Sequence, residues 1–213
     1  MTYCIAMAAK EPAARVMDRK DPGPRKRMIT STALLVRERG ARATSLDTVL
    51  AHSGAPRGSV YHHFPGGREQ LLREATQYAG EYVARRLERA TDEHPLEALD
   101  ALFDDYRATL LDTDFRAGCP VVAVAIESPE EGPDLRDHAM AAFERWHQAL
   151  ARALERSGIH AVRADELATH TIAAFEGAIV LSRAYRDLEP LERVRSELRQ
   201  RVDEELTKAK GAR

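Results

Sequence analysis

The chain has 213 residues, of which 44% are hydrophobic and 31% charged, a composition typical of a helix-rich globular protein. No apolar run approaches the roughly 20 residues that cross a bilayer, and the N-terminus lacks the pattern of a signal peptide, so we expect a cytoplasmic protein. Two widely separated cysteines, Cys4 and Cys119, exclude a disulfide framework.

The net charge of −2 conceals a strong asymmetry along the chain. Residues 1–73 carry 13 Lys and Arg against 6 Asp and Glu, whereas residues 74–213 carry 19 against 28. A basic first third indicates a polyanionic partner. An ordinary solvated surface is the alternative that charge alone leaves open.

The first predicted elements are two helices that follow a segment without apolar periodicity. Residues 1–23 contain prolines and scattered charges, which is typical of a flexible arm. Apolar residues then recur every three or four positions over residues 24–40, and this spacing predicts a helix with a glycine at its C-terminal end. Thr44, followed three residues later by Asp47, resembles a capping box and predicts a second, short helix that ends at Gly54.

A third short helix is predicted within residues 55–64, whose sequence is APRGSVYHHF. The segment VVAVAI, residues 121–126, is rich in β-branched residues, but no second strand is available to pair with it, so we predict a short buried helix there. The segment IAAFEGAIVL, residues 172–181, is almost apolar around its circumference, which predicts that other elements cover both faces of that helix. The remaining helices are predicted from apolar stripes at residues 68–91, 95–110, 133–158, 163–186 and 191–206.

Metal binding and catalysis find little support in the spacing of the polar residues. None of the eight histidines lies three or four residues from another, the spacing that places two ligands on one helix face. His62 and His63 are adjacent and therefore diverge on a helix. No phosphate-binding loop or nucleophile elbow is present, so we expect no metal, no cofactor and no enzyme. An enzyme that holds a metal with scattered histidines and Cys119 is the alternative.

Two short helices around a Ser-Gly turn, within the basic third of the chain, predict a DNA-binding helix-turn-helix. The stretches ATSLD (residues 43–47) and SGAPRGSVYHHFPGGREQL (residues 53–71) resemble the N-terminal domain of the TetR family of transcriptional regulators. The run PRGSVYHHFPGG and a GCP that contains Cys119 further resemble the LmrA/YxaF-like branch of that family. The specific part of the resemblance covers about residues 25–72.

The helical pattern and the resemblance together imply an all-α fold of about nine helices. A three-helix helix-turn-helix domain would occupy residues 24–72, and a ligand-binding and dimerisation domain would occupy residues 73–213. The resemblance implies a homodimeric repressor that binds a palindromic operator in double-stranded DNA and is released by a small-molecule effector. A helical small-molecule-binding protein with a vestigial DNA-binding head is the alternative.

The recognition segment divides between side chains for DNA and side chains for the protein interior. Arg57 can pair with guanine, and Gly58 lets the helix approach the floor of the major groove. Val60, His63 and Phe64 are expected to pack inside. The resemblance adds contacts to the DNA backbone, so that the complete set of expected DNA contacts is Arg25, Lys26, Arg27, Thr44, Ser45, Arg57, Gly58, Ser59, Tyr61, His62 and Arg68.

The resemblance also implies a ligand pocket in the C-terminal domain, where aromatic side chains and a few polar groups are the candidates. Packing in the core is the alternative that the pattern favours for each candidate, because aromatic stripes at helical spacing are usually packed in the interior. The candidates are Phe103, Tyr106, Phe115, Cys119, Phe143, Trp146, His147, Phe175 and Glu176. A redox-sensing role for Cys119 is a weaker alternative, because no cation lies next to it in sequence.

A two-fold DNA reader needs paired recognition helices that meet successive major grooves, about 34 to 36 Å apart. The last two predicted helices resemble those that form the dimer interface of the family, and small residues in the first of them permit close helix approach. The expected dimer contacts are Ala174, Gly177, Ala178, Leu181, Tyr185, Leu191, Val194, Leu198 and Val202.

Overall fold

The computed structural model describes residues 23–90, 95–131 and 133–211, and these residues form nine helices and no strand. In chain order the helices are α1 (Gly23–Arg39), α2 (Leu46–Ser53), α3 (Ser59–His63), α4 (Gly67–Ala90), α5 (Pro95–Asp112), α6 (Pro120–Glu131), α7 (Pro133–Arg156), α8 (Ala161–Tyr185) and α9 (Glu189–Gly211). The predicted all-α fold is confirmed, and the VVAVAI segment lies in α6 as a helix. Apart from Gly23, the arm predicted for residues 1–23 lies outside the described residues.

The first three helices pack together with the start of α4 around a small apolar core. α1 contacts α2, α3 and α4. Met28, Val49, Phe64 and Leu71 each expose 2% or less of their surface in this core. Full burial of such a side chain contributes about 1.5 to 3 kcal/mol, so these contacts fix how α2 and α3 lie relative to α1.

The turn after α2 has a backbone that requires glycine. Gly54 has a φ of +63°, in the left-handed region, and its N–H donates to the carbonyl of Leu50. The Nε of Arg27 in α1 donates to the carbonyl of Ser53 at 3.2 Å. The C-terminal end of α2 is therefore held by its own glycine and by a cation from α1.

The larger part of the chain forms a helical bundle in which α4 and α7 cross closely. A Cβ added to Gly80 of α4 would lie 2.6 Å from the Cβ of Ala142 in α7. The indole N–H of Trp146 donates to the carbonyl of Gly80 at 2.8 Å across the same crossing. α8 packs against α7 and α9, and α5 packs against α9 and α4. None of the described helices is long and apolar enough to span a membrane.

Two hydrogen bonds connect the N-terminal helices to α6 and the segment before it. The N–H of Gly118 donates to the carbonyl of Arg37, near the end of α1, at 2.8 Å. The carboxylate of Glu127 in α6 accepts from the N–H of Arg42, in the turn between α1 and α2, at 2.7 Å. Displacement of α6 would therefore act directly on the turn that leads into α2.

Candidate DNA-binding surface and ligand cavity

The short helix α3 has one buried face and one exposed face. Val60 exposes 2% of its surface and Phe64 exposes none, whereas Tyr61 exposes 68%. His62 is exposed and His63 is half-buried, so the two imidazoles do not share one environment. The expected interior packing of Val60 and Phe64 is confirmed, and their burial directs Tyr61 and His62 toward solvent.

Arg57, the residue expected to read a base, is held at the surface by a carboxylate. Its guanidinium donates to the carboxylate of Asp47 in α2 at 2.7 Å, and the side chains of Arg57 and Asp47 are 79% and 73% exposed. An ion pair this exposed contributes little to stability, typically 0 to 1 kcal/mol. Asp47 therefore orients the guanidinium, while the stability of the fold depends little on this ion pair.

Gly58 is not required by the local fold. Its φ is −65°, an ordinary value for any residue, and a Cβ added there would have no heavy atom within 4 Å beyond its chain neighbours. A glycine at an open position with a common backbone conformation points to an external reason for the missing side chain. Close approach of another molecule to the start of α3 is such a reason.

The capping box at the start of α2 lies one residue later than predicted. Ser45 is the N-cap, and its Oγ accepts from the N–H of Thr48 at 3.2 Å while the Thr48 hydroxyl accepts from the Ser45 N–H. Thr44 is 2% exposed and its hydroxyl donates to the carbonyl of Gly40 at 2.8 Å. The prediction that Thr44 presents its hydroxyl to a phosphate is wrong for this conformation, because the hydroxyl is buried. Ser45 remains exposed at the helix start.

The three cations predicted to bind phosphates at the start of α1 have different surroundings. Arg25 pairs with Glu74 at 2.6 Å and its guanidinium lies 5.5 Å from the ring centre of Phe64. Arg27 caps α2, as described above, and Lys26 is exposed. Arg25 and Arg27 therefore stabilise the helix arrangement, and any phosphate contact by these two would be additional to that role.

Arg68, also predicted to contact phosphate, holds the turn between α1 and α2. Its Nε donates to the carbonyl of Thr44 at 2.9 Å, and its Nη2 donates to the carbonyl of Ala41 at 2.5 Å. The guanidinium thus bridges two carbonyls of the turn, of which that of Ala41 also accepts from the N–H of Thr44 at 3.0 Å. Arg68 thus positions the start of α2, and its role toward phosphate stays a prediction.

A small apolar cavity lies between α4, α5, α7 and α8. The volume open to the centre of a water molecule is about 10 Å³, close to the minimum that one water needs. Four of the predicted ligand residues line the cavity, namely Tyr106, Trp146, Phe175 and Glu176. The other lining residues, which the sequence interpretation missed, are Val83, Leu87, Leu102, Leu150, Thr171 and Ile172.

The other predicted ligand residues lie around this cavity or away from it. Phe103 stacks edge to face on Phe175 with ring centres 4.9 Å apart, and Phe143 does so on Trp146 at 5.2 Å. Phe103 and Phe143 therefore pack against residues of the cavity wall and do not line the cavity themselves. The third aromatic in this group, Phe115, is half-buried in the segment before α6.

His147 lies on the outer surface between α7 and α8. Its Nε2 is 3.1 Å from the carbonyl of Asp165 and 3.1 Å from the hydroxyl of Thr169. His147 does not line the cavity, so the predicted set of ligand residues does not form one cluster.

The carboxyl of Glu176 and the phenol of Tyr106 line the cavity, and both interact with the thiol of Cys119, which lies outside the lining. Burial raises the pKa of the Glu176 carboxyl from 4.5 to about 7, and a hydrogen bond with Cys119 partly offsets the rise. Burial also raises the pKa of the Cys119 thiol and of the Tyr106 phenol well above their usual ranges. The thiol is therefore protonated at neutral pH, which disfavours the redox-sensing role considered for Cys119.

Replacing Glu176 by glutamine is expected to change the pH dependence of stability. Glu176 has a higher pKa in the folded chain than the ordinary value of 4.5, so its ionisation lowers the free energy of unfolding as pH rises from about 4.5 to about 7. Glu176→Gln removes that loss, so the variant should exceed the wild type by up to about 3 kcal/mol at pH 8 and match it more closely at pH 5. Urea unfolding at both pH values measures this; an equal difference at both would contradict it.

The predicted dimer residues fall into two groups by exposure. Gly177, Leu181 and Tyr185 of α8 are exposed, with Leu181 at 44% and Tyr185 at 67%. Ala178 is 1% exposed, and Ala174 is half-buried. The surface of α8 thus leaves part of the predicted set accessible to a second molecule.

The α9 residues of the predicted dimer set are largely used inside the single chain. Leu191 and Leu198 are each 1% exposed, Val202 is 5% exposed and Val194 is half-buried. The single apolar seam of α9 therefore covers the bundle, and the prediction that these side chains also meet a partner is not supported by their burial.

Comparison with known proteins agrees with this arrangement of a helix-turn-helix and a helical bundle. Residues 29–75 match the family model described as bacterial regulatory proteins of the tetR family. Residues 95–197 match the model described as transcriptional regulator LmrA/YxaF-like, C-terminal domain. The two matches cover α1 to the first part of α4, and α5 to the first part of α9.

Relatives match over most of their length. An uncharacterised HTH-type transcriptional regulator of Mycobacterium tuberculosis is 53% identical over 182 residues, covering 83% of this chain and 93% of the relative. LmrA, an HTH-type transcriptional regulator of Bacillus subtilis, is 32% identical over 171 residues, covering 78% and 90%. A TetR transcriptional regulator from Legionella pneumophila has the same fold, with a TM-score of 0.75 at 23% identity over 86% of this chain and 98% of that one. The chain therefore belongs to the TetR family of helix-turn-helix, DNA-binding transcriptional regulators, with a C-terminal domain of the LmrA/YxaF-like type.

Proposed function

We propose that this regulator is a homodimeric repressor that binds a palindromic operator through α2 and α3 and is released by a small-molecule effector. The DNA-reading part of the proposal rests on the exposed face of α3 and on the open position of Gly58 directly before that helix. Arg57 and Tyr61 project outward beside an open Gly58, while Val60 and Phe64 anchor the helix. Arg57 supplies a bidentate donor for guanine, and the exposed Tyr61, Ser45 and Lys26 supply phosphate contacts. Ser59 is half-buried, and its hydroxyl, which donates to the carbonyl of Pro56 at 2.6 Å, would have to turn outward to contact DNA.

The exposed face of α8 supports a dimer of this chain. Gly177 has no neighbour within 4 Å of an added Cβ, although a glycine inside a helix costs about 1 kcal/mol relative to alanine. Val180 and Leu181 expose 50% and 44% of their surfaces beside it. A second copy that packs closely over Gly177 would cover this face and explain the glycine. The uncharged exposed stripe consists of Ala173, Gly177, Val180, Leu181, Ala184 and Tyr185.

We place the effector in the cavity between α4, α5, α7 and α8. At about 10 Å³ the cavity admits no drug-sized molecule without movement of its walls, so binding must be coupled to displacement of helices. Cys119 interacts with Glu176, which lines the cavity, and directly precedes α6. Glu127, about two turns further along α6, accepts a hydrogen bond from the turn before α2. Displacement of α6 is the route by which effector binding would alter the DNA-reading helices. A coupling free energy of about 1 to 3 kcal/mol is typical of such linkage.

An electrophoretic shift with the upstream region of the gene, at several salt concentrations, tests the operator-binding function. The wild type should shift that region at physiological salt in the presence of excess unrelated DNA. Arg57→Ala should reduce the preference for that region, because each bidentate base contact contributes about 1 to 3 kcal/mol of discrimination. Binding that is equally strong to unrelated DNA, or no binding at physiological salt, would contradict the proposal.

Replacing Asp47 by asparagine is expected to strengthen binding to unrelated DNA. Asp47 holds Arg57 at 2.7 Å and also places a negative charge on the surface that would meet phosphates. Asp47→Asn removes both effects, so the affinity for unrelated duplex should rise about three- to tenfold at low salt and the preference for the operator should fall. Fluorescence anisotropy with the two duplexes measures both; unchanged affinities would show that Asp47 acts on neither.

A further inference from the structure

Glu176 carries a buried carboxylate oxygen whose hydrogen-bonding capacity the fold leaves unused. The residue is 9% exposed and its Oε2 is buried without a hydrogen-bond partner among the described residues. A buried polar atom left unsatisfied costs about 1 to 3 kcal/mol, and more when it is charged. An apolar side chain at this position of α8 would avoid that cost, so the fold alone does not account for a carboxyl here.

Aromatic side chains line the cavity beside this carboxyl, and Glu176 forms no ion pair with a side chain in the part of the chain that the structure describes. Tyr106, Trp146 and Phe175 line the same cavity, and their ring faces attract positive charge. Burial and Cys119 are the influences on the ionisation of Glu176, and no described cationic side chain is among them. Arg37 of α1 acts on Tyr106 instead. Among the described residues, the cavity thus combines a carboxyl group with aromatic walls and has no positive partner for the ionised form.

We propose that the effector of this regulator has an apolar aromatic body and a protonated amine, and that the carboxylate of Glu176 binds the amine while Tyr106, Trp146 and Phe175 contact the body. This inference rests on the proposed function, because it names the effector of the same cavity. The amine supplies the donor that Oε2 lacks, and it converts an unpaired buried carboxylate into a charge pair in a site of low dielectric constant.

Ligands of other charge would gain less from this cavity. A neutral hydroxyl could donate to the carboxylate, but it would leave the buried negative charge without an opposite charge, whereas an ammonium would neutralise it in a site of low dielectric constant. A carboxylate ligand would be repelled by ionised Glu176, or would require both acids to share a proton. The order of affinity for one aromatic body should therefore be amine, alcohol, then carboxylate.

Trp146 provides a direct reporter of binding in the full-length protein. It is the single tryptophan of the chain, and it lines the cavity. Titration with 4-phenylbutylamine, 4-phenylbutanol and 4-phenylbutyrate, followed by tryptophan fluorescence, compares three charges on one body. We expect the amine to bind the wild type at least tenfold more tightly than the alcohol. The carboxylate should bind no more tightly than the alcohol.

Glu176→Gln is the variant that isolates the carboxyl. It should bind the amine at least tenfold more weakly than the wild type and make the amine and the alcohol equivalent, while circular dichroism shows a folded protein. Glu166→Gln, at an exposed position of the same helix, is the control and should keep the wild-type preference. A preference for the amine that persists in Glu176→Gln, no preference in the wild type, or no saturable response to the amine would each overturn the proposal.

The fluorescence titration is independent of DNA, so its failure is distinguishable from failure of the proposed repressor function. Operator binding without amine selectivity would leave the repressor proposal standing and remove this one. Amine selectivity without operator binding would support the proposed ligand site and contradict the repressor proposal. Where both hold, 4-phenylbutylamine should weaken the shift of operator DNA by the wild type and leave the shift by Glu176→Gln unchanged.

Discussion

Replacing Gly58 by leucine is expected to abolish most sequence-specific DNA binding while leaving the fold intact. The position is open in the free protein, so the larger side chain meets nothing there, and the backbone φ of −65° suits any residue. The free energy of unfolding should stay within about 1 kcal/mol of the wild type. On DNA, the side chain would hold the start of α3 away from the groove and remove the Arg57 base contact, an expected loss of about 100-fold in operator affinity.

Gly54→Ala is the matched control for this prediction, because it changes the other glycine of the same turn region. Gly54 has a φ of +63°, so alanine there should lower the free energy of unfolding by about 1 to 2 kcal/mol. In thermal unfolding and DNA-binding titrations, Gly58→Leu should therefore keep its stability and lose operator affinity. Gly54→Ala should lose stability and keep operator affinity. Operator affinity that survives Gly58→Leu would show that α3 does not approach DNA at this residue.

Replacing Leu181 by arginine is expected to convert the protein to a monomer and to weaken operator binding at least 100-fold. Leu181 lies in the uncharged exposed stripe of α8, and in a symmetric dimer each arginine would face an apolar surface on the partner copy. An unpaired charge buried in this way costs several kcal/mol. Separate protomers also bind the two half-sites independently, so they lose the gain in effective concentration that a dimer has for the second half-site.

Sedimentation velocity measures the oligomeric state of Leu181→Arg, and anisotropy with operator DNA measures the affinity. Met140→Arg is the control, since Met140 is an apolar side chain of α7 that is 53% exposed. The control should remain a dimer with wild-type affinity. A dimeric Leu181→Arg variant would exclude the α8 stripe as the interface.

Helix periodicity and turn residues predicted the order and type of the helices well. The division of α3 into Val60 and Phe64 inside, and Tyr61 outside, also followed from its sequence. These features are local, because helical spacing and an adjacent Gly-rich turn decide them. The capping box was displaced by one residue because Thr44 turned inward to Gly40, and a pattern of two neighbouring hydroxyls does not show which of them a turn buries.

The ligand cavity was only partly predictable. Glu176 was among the few polar candidates that the resemblance implied, whereas Val83 and Thr171, which also line the cavity, were not predicted. Whether a stripe residue faces a neighbour or a cavity depends on how several helices cross. The close approach at Gly80, which sets one such crossing, has no signature in the sequence beyond a glycine inside a helix.

Selection of bound sequences from random duplexes with the full-length protein, at physiological salt, tests the central claim most directly. The proposal predicts enrichment of an inverted repeat whose half-sites lie about one helical turn, or a multiple of it, apart. Guanines at symmetric positions should lose enrichment when Arg57→Ala is used instead of the wild type. Absence of any enriched sequence, or enrichment that does not change with Arg57→Ala, would contradict the proposed reading of DNA by α3.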